Sequence, residues 1–393
     1  MLFFVYLGDG ILSDWVPSFV QKSLSSPLVM GIVIAFSSVV GFGADLIFPQ
    51  LLKGLKTRKI LMMAIGSSLV FCGVLFWSIA WPWVILFLVA MAVWGLYYEL
   101  LGFGTAMFVS ESIPAPSRSG VWAIMGAFRS LAYFIGPIVG SYLAISKGDN
   151  WVVVVATSCV IFGYIIWRLM GRNKSEVALD ESTERINLLM EIKHWVVLFE
   201  HVWPVLLISL MMGIVDATYW TTGTVFSDNL AKVSWWGGMF LPFYTLPMVF
   251  VGFVVAKWGV YKGKKKLVEI FMLISGVLLT LLGIDANITL ILITSLLVGT
   301  MLSVSWPLTD AVYSDIVNRM GREGKHMVGL SGSTINVAYI IGPILAGLIS
   351  QFVGEKNTFV VMGVAMILVS IFLLIVTPKK LRLPQTEIQA WKE

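Results

Sequence analysis

Five ionisable residues sit inside long apolar stretches of this 393-residue chain: Asp9, Glu99, Arg129, Asp216 and Asp310. Asp14 lies toward the end of the first such stretch. Even on a lenient scale a charge at mid-bilayer costs roughly 2.5–3.5 kcal/mol, so each of these positions is a candidate for work that needs the charge. A carboxylate taken out of water is disfavoured in its ionised form, and such a group can take up and release a proton near neutrality. Asp9 and Asp216 are the candidates for that proton chemistry. Glu99 precedes Glu111 by twelve residues and Arg129 follows Arg118 by eleven. At about 1.5 Å of rise per residue this puts the two at similar depth on neighbouring helices and predicts an ion pair. Trp94, Tyr97 and Tyr98 lie beside Glu99, and Trp220 follows Asp216, with Trp15, Tyr219 and Tyr313 near the other acids. Aromatic faces in such company suit the stacking of an organic solute. A cavity with more acids than bases favours neutral or cationic solutes over phosphorylated ones.

Other chemistries find little to work with. Cys72 and Cys159 both lie in apolar runs, and His194, His201 and His326 form no cluster, so no metal-ligand spacing or disulfide framework is present. No HExxH or GxSxG pattern occurs, and the expectation is a protein that is not an enzyme and uses no cofactor or metal. The formal net charge of +5 forms no single basic face, which argues against nucleic acid as a partner.

The elements that must hold these residues are membrane spans. Hydrophobic residues make up 58% of the chain and charged residues 12%. Half the usual charge cannot cover a water-facing surface of this size. Runs of about 20 apolar residues, the length that crosses a bilayer, fall near 2–21, 27–50, 60–80, 83–110, 119–144 and 150–170. A second set falls near 202–227, 235–257, 267–284, 287–314, 327–352 and 358–377. With both termini cytoplasmic, 22 of the 27 Lys and Arg residues lie on the cytoplasmic side, four lie outside and Arg129 lies within a span. A wrong count would scramble that sorting. Trp235 and Trp236 fit the aromatic belt at the outer interface. The expected domains are an N-terminal six-helix bundle (1–170), a cytoplasmic amphipathic linker (171–200), a C-terminal six-helix bundle (201–378) and a cytoplasmic tail (379–393). The linker turns amphipathic around Ile186, Leu189, Ile192, Val196 and Phe199 and is expected to lie on the membrane face. No cleavable leader is evident ahead of the first span, and the expected location is a prokaryotic inner membrane.

The halves repeat one another. Ala-Tyr-Phe-Ile-Gly-Pro-Ile at 132–138 recurs as Ala-Tyr-Ile-Ile-Gly-Pro-Ile at 338–344, an offset of 206. Gly126 matches Gly332 at 206, Glu111 and Arg118 match Asp315 and Arg322 at 204, and Asp9 and Phe19 match Asp216 and Phe226 at 207. Two like-oriented halves related by an axis along the membrane normal place a solute site between them near the midplane. The fold class is therefore all-α integral membrane, with twelve transmembrane helices in two pseudo-symmetric six-helix bundles.

These features resemble the major facilitator superfamily. The Gly41-Phe-Gly-Ala-Asp45 run keeps the Gly-to-Asp spacing of that family's signature after the second helix, with its basic residues displaced to Lys53, Lys56, Arg58 and Lys59. A second copy, Gly252 to Gly259, keeps Lys257 and has Ala256 at the acidic position. The resemblance implies a cytoplasmic gate built from Asp45, Glu111 and Arg118, with Asp315 and Arg322 as second-half counterparts. The runs around Gly136-Pro137 and Gly342-Pro343 partly match an antiporter motif of the family; present in both halves, they read as helix packing and leave a slight lean toward efflux. The resemblance further implies a monomeric secondary transporter working by alternating access on a small organic solute. H⁺ is favoured over Na⁺ as the coupling ion. A lipid flippase or a non-transporting sensor are the alternatives on the same fold.

Overall fold

The protein is described by a computed structural model covering residues 1–52, 55–114, 117–169, 188–258, 263–284, 287–321, 324–377 and 383. Among these residues the chain is all helix. The first six helices are α1 (Leu2–Leu24), α2 (Pro27–Leu51), α3 (Thr57–Ala80), α4 (Val84–Ser112), α5 (Arg118–Ser146) and α6 (Asp149–Leu169). The remainder are α7 (Leu188–Val233), α8 (Phe240–Trp258), α9 (Lys264–Leu281), α10 (Ile288–Met320), α11 (Gly324–Val353) and α12 (Glu355–Val376). A 3-10 turn, Trp235–Met239, leads into α8.

Nine of the described helices are long and apolar enough to cross a membrane. Of the other three, α1 carries Asp9 and Asp14, α9 opens on Lys264, Lys265 and Lys266, and the described apolar part of α8 is short. Side chains such as Ile85 and Ile375 are more than 70% exposed, which only a hydrocarbon solvent tolerates at this density. Trp235 and Trp236 are exposed and pack edge to face at 5.0 Å.

Each half has its own core. Phe71, Phe87, Trp94 and Tyr97 anchor one among α1–α6, and Tyr219, Phe240, Tyr244 and Phe359 anchor another among α7–α12. Helices approach closely where side chains are absent. A Cβ on Gly95 of α4 would stand 2.1 Å from the Ser37 carbonyl oxygen of α2. The counterpart Gly299 of α10, 204 residues on, would meet the Tyr244 carbonyl oxygen of α8 at 2.1 Å. Backbone cannot yield that far, so Gly95→Ala and Gly299→Ala are each expected to destabilise their half by about 1–3 kcal/mol or more. Gly102→Ala, on open space, should be neutral. Thermal unfolding of the purified variants in detergent checks this. A Gly95→Ala protein as stable as the parent would refute the packing.

The expected amphipathic linker takes a different form. Residues 170–187 lie outside the described residues, and from Leu188 a single helix of 46 residues runs through Pro204 to Val233. Ile192, Val196 and Phe199 are exposed while Leu198 and Val202 are buried, so the stripe is the exposed face of α7 itself and not of a separate helix.

The halves meet through α2 with α11, α5 with α8 and α1 with α7. Their tightest contact lies at the end marked by the α1–α2 turn. There Ser25 takes a left-handed φ of 52°, and Ser26 caps α2 by accepting the Val29 N–H at 3.3 Å ahead of Pro27. A Cβ on Gly31 would sit 2.2 Å from the Pro343 carbonyl oxygen, and one on Gly347 would sit 2.3 Å from that of Pro27. Gln21 donates to Glu355 at 3.0 Å and Ser26 to Gln351 at 3.4 Å across the same seam.

Candidate functional site

Asp9 and Asp216 are both buried, 3% and 5% exposed, and each is held by aromatic donors from its own half. One Asp9 oxygen accepts the Trp94 indole N–H at 2.7 Å. The other accepts the Tyr98 hydroxyl at 2.8 Å and the Tyr133 hydroxyl in a shorter bond. Asp216 accepts the Tyr244 hydroxyl at 2.5 Å on one oxygen and the Tyr339 hydroxyl on the other. Tyr133 and Tyr339 are the tyrosines of the repeated Ala-Tyr-x-Ile-Gly-Pro run, so an Asp on the first helix of each half is bonded by the same Tyr on the fifth. The rest of each cage differs. At the offset that pairs Gly95 with Gly299, Trp94 and Tyr98 correspond to Val298 and Leu302, and Tyr244 from α8 supplies the second donor instead.

The Gly-Pro runs set the spacing of these helices. A Cβ on Gly136 would fall 2.5 Å from the Gly10 carbonyl carbon, and one on Gly342 would fall 2.7 Å from the Ala217 Cβ. Close approach beside Asp9 and beside Asp216 thus follows from the same small residue in both halves, and Pro137 and Pro343 follow it in each helix. The two cages face each other across the interface. Tyr133 meets Trp220 edge to face at 5.5 Å, and Tyr98 lies near Tyr339.

Arg129 is exposed on α5, near Tyr6 and Tyr339, and among the described residues no carboxylate pairs with it. The expected Glu99–Arg129 pair is absent. Glu99 points to α2, where its carboxyl rests 3.0 Å from the Cβ position of Gly41 and within hydrogen-bonding contact of Asp45. The reason is rotational: α4 packs on α3 and α2 and touches α5 little, so equal depth does not make Glu99 and Arg129 neighbours. Asn336 of the opposite half donates to Asp45 at 2.9 Å.

Of the remaining expected site residues, Trp94 belongs to the Asp9 cage and the others fall outside both cages. Trp94 reaches Asp9 through its N–H while its ring stacks on Phe71 at 5.2 Å. Tyr97 is 1% exposed within the first-half core. Asp310 is exposed, and its backbone carbonyl accepts the Ser314 hydroxyl at 2.9 Å. Asp315 is bound by Lys264 at 2.7 Å inside its own half. The side chains of Glu111 and Arg118, those of 252–262, and Arg322 altogether lie outside the described residues. Tyr6, Tyr133, Tyr244, Tyr339 and Asn336 are contributors that sequence reasoning did not select.

The Major Facilitator Superfamily model matches residues 1–259 and 226–393. No curated protein matches the chain. Among solved structures, a POT family transporter in complex with a thioalcohol-conjugated peptide is similar at a TM-score of 0.73 and 12% identity, covering 96% of this chain and 95% of that one. A POT family transporter in complex with 5-aminolevulinic acid is similar at a TM-score of 0.72 and 12% identity, over 96% and 95% of the two chains. The peptide transporter POT in complex with sulfate is similar at 0.72 and 13% identity, over 95% and 93%. At these identities the likeness is one of fold.

Proposed function

This chain belongs to the major facilitator superfamily, and on that footing we propose that it is a proton-coupled secondary transporter of a small organic solute bearing an anionic group, working by alternating access. The observation that carries this reading is the facing pair of Asp–Tyr cages with Arg129 beside them, which no carboxylate pairs with among the described residues. Both acids already have their donors, so the charge left open beside the cages, near Tyr6 and Tyr339, is the positive one of Arg129. A carboxylate is a natural partner for a guanidinium, which offers it two parallel N–H donors. This replaces the neutral or cationic solute expected from the count of acids and bases.

Coupling follows from what protonation does to the cage. An ionised Asp9 engages the hydroxyls of Tyr98 and Tyr133 as acceptor. Once protonated it accepts fewer hydrogen bonds, and a tyrosine hydroxyl is released to turn toward solute in the gap. Solute affinity and proton occupancy are thereby linked, and linkage of this kind is reciprocal. With both termini cytoplasmic, the α1–α2 end, where α2 meets α11 most closely, would face outward. The cage geometry gives no direction of net transport.

A thermal-stability screen of the purified protein against carboxylates, amino acids, amines, sugars and nucleosides tests the solute class. Saturating carboxylate at about 100 times its Kd is expected to add about 2.7 kcal/mol, a shift of several degrees. Arg129→Gln should abolish that shift and Arg129→Lys should keep part of it. Stabilisation by neutral solutes alone, or a carboxylate shift that survives Arg129→Gln, would refute the assignment.

A further inference from the structure

The first turn of α3 and the last turn of α6 meet at the end of the first half opposite the α1–α2 turn. Arg58 of α3 lays its guanidinium over the Trp167 ring of α6 at 4.6 Å. The Trp167 ring lies 6.1 Å from that of Tyr164, one turn back on the same helix. Arg168 in turn sits over Tyr164 at 5.9 Å. The four side chains form a ladder whose two inner rungs are aromatic and whose two outer rungs are cationic. Stacking engages the face of each guanidinium and does not use its N–H donors. Among the described residues no carboxylate pairs with Arg58, with Arg168 or with the exposed Lys59 beside them. The positive end of the α3 dipole, at Thr57, adds to the same field.

Beyond these charges the same two helices are apolar and uncovered. Met62, one turn along α3 from Arg58, is exposed. Ile165 and Ile161, one and two turns back along α6 from Arg168, are exposed as well. Gly66 follows Met62 by four residues, and a Cβ there would meet nothing within 4 Å, so the α3 strip stays shallow and open. A cationic end on an uncovered apolar strip matches a molecule with an anionic head and hydrocarbon tails. The sorting of Lys and Arg by side accounts for positive charge at this end. It gives no reason for two guanidiniums to be fixed on aromatic faces, since solvated basic side chains would extend into water.

We propose that the Arg58–Trp167–Tyr164–Arg168 ladder is a binding site for an anionic phospholipid of the adjoining leaflet. Arg58 and Arg168 supply the charge and the N–H donors for its headgroup, with Lys59 at the rim, and its acyl chains lie along Met62 and Ile165. Arginine suits this role better than lysine, because its fork matches two phosphate oxygens while its face stays on the ring. Basic pockets between spanning helices take lipid headgroups by this chemistry. The site lies within the first half, apart from both cages, and stands whether or not the transport reading holds.

The test uses the full-length protein in detergent, titrated with phosphatidylglycerol or phosphatidylcholine, with lipid occupancy read by native mass spectrometry. Phosphatidylglycerol is expected to bind at least about fivefold more tightly. Arg58→Gln and Arg168→Gln should each weaken it by about fivefold, the effect of one basic residue near an anionic headgroup. Lys266→Gln, which removes an exposed charge on α9, should leave binding within about twofold of the parent. The parent alone gives a second reading that no folding defect can disturb. A phosphatidylglycerol with a photoreactive headgroup should crosslink to the peptides that hold Arg58 and Tyr164–Arg168. Equal binding of the two lipids, an equal loss in Lys266→Gln, or crosslinks confined to other helices overturns the proposal. Displacement of phosphatidylglycerol by equimolar inorganic phosphate would overturn the lipid assignment in favour of a soluble anion.

Discussion

Asp9→Asn should give a folded protein that exchanges solute but no longer accumulates it against a pH gradient. The change keeps the size of the side chain and removes the proton-binding group. Counterflow, which needs binding and reorientation alone, is expected to persist within about tenfold of the parent, a loss of under about 1.4 kcal/mol. Gradient-driven accumulation in proteoliposomes should fall to background. Stability should shift modestly. Three donors converge on Asp9, and an amide carbonyl cannot replace both oxygens, so about 1–3 kcal/mol is lost at the unmatched donors. The desolvation cost of the charge disappears at the same time and offsets part of this. Asp216→Asn should behave alike with a smaller stability change, since only two donors face it. Full pH-driven accumulation by both variants would remove the cages from the coupling mechanism.

Gly31→Leu should have the second large effect, on conformation more than on folding. The position faces the Pro343 carbonyl oxygen at 2.2 Å measured from an added Cβ, and that oxygen belongs to the other half. Each half can fold around the new side chain, but the two cannot close at this end. Transport should fall at least about 100-fold, equivalent to about 2.8 kcal/mol, while thermal unfolding changes little. Gly347→Leu should reproduce the result from the opposite side, where the obstacle is the Pro27 carbonyl oxygen at 2.3 Å. Gly43→Ala on the same helix meets nothing within 4 Å and serves as the control. Solute flux in proteoliposomes checks the prediction, with maleimide labelling of Val225→Cys, buried on α7 against the first-half core, as the conformational readout. A Gly31→Leu protein that transports normally would mean that the seam opens and closes elsewhere.

The sequence made the architecture legible because its signals are long. A span is about 20 residues of apolar side chain, and the sorting of Lys and Arg by side tests the whole set at once. Asp9 and Asp216 were legible for a related reason: an acid stands out in an apolar run, and the repeat links the two. What the acids bind was not legible. Tyr133 and Tyr339 lie in the most visible stretch of the repeat, yet a tyrosine there reads equally well as packing. Only the approach of α5 to Gly10, and of α11 to Ala217, aims the hydroxyls at the carboxylates. Tyr244 has no counterpart in the first half, so nothing in the repeat marked it. The Glu99–Arg129 expectation failed because residue counting gives depth along a helix and says nothing of which neighbour a face meets. Asn336, which reaches Asp45 from the other half, depends wholly on that unreadable rotation.

The unbroken length of α7 has a mechanical consequence. Its 46 residues make a rod of about 69 Å, more than twice the thickness of the hydrocarbon layer. Asp216 lies along this rod, Asp228 lies near one tip, and Leu188 is at the other. A rocking of about 10° about the middle of the rod carries each tip some 6 Å, roughly one helical turn. A rocking of that size is large enough for a dye or spin label at Leu188 to register, far from either acid. The same lever runs in reverse: a force applied near Leu188 is felt at Asp228, at the other end of the rod.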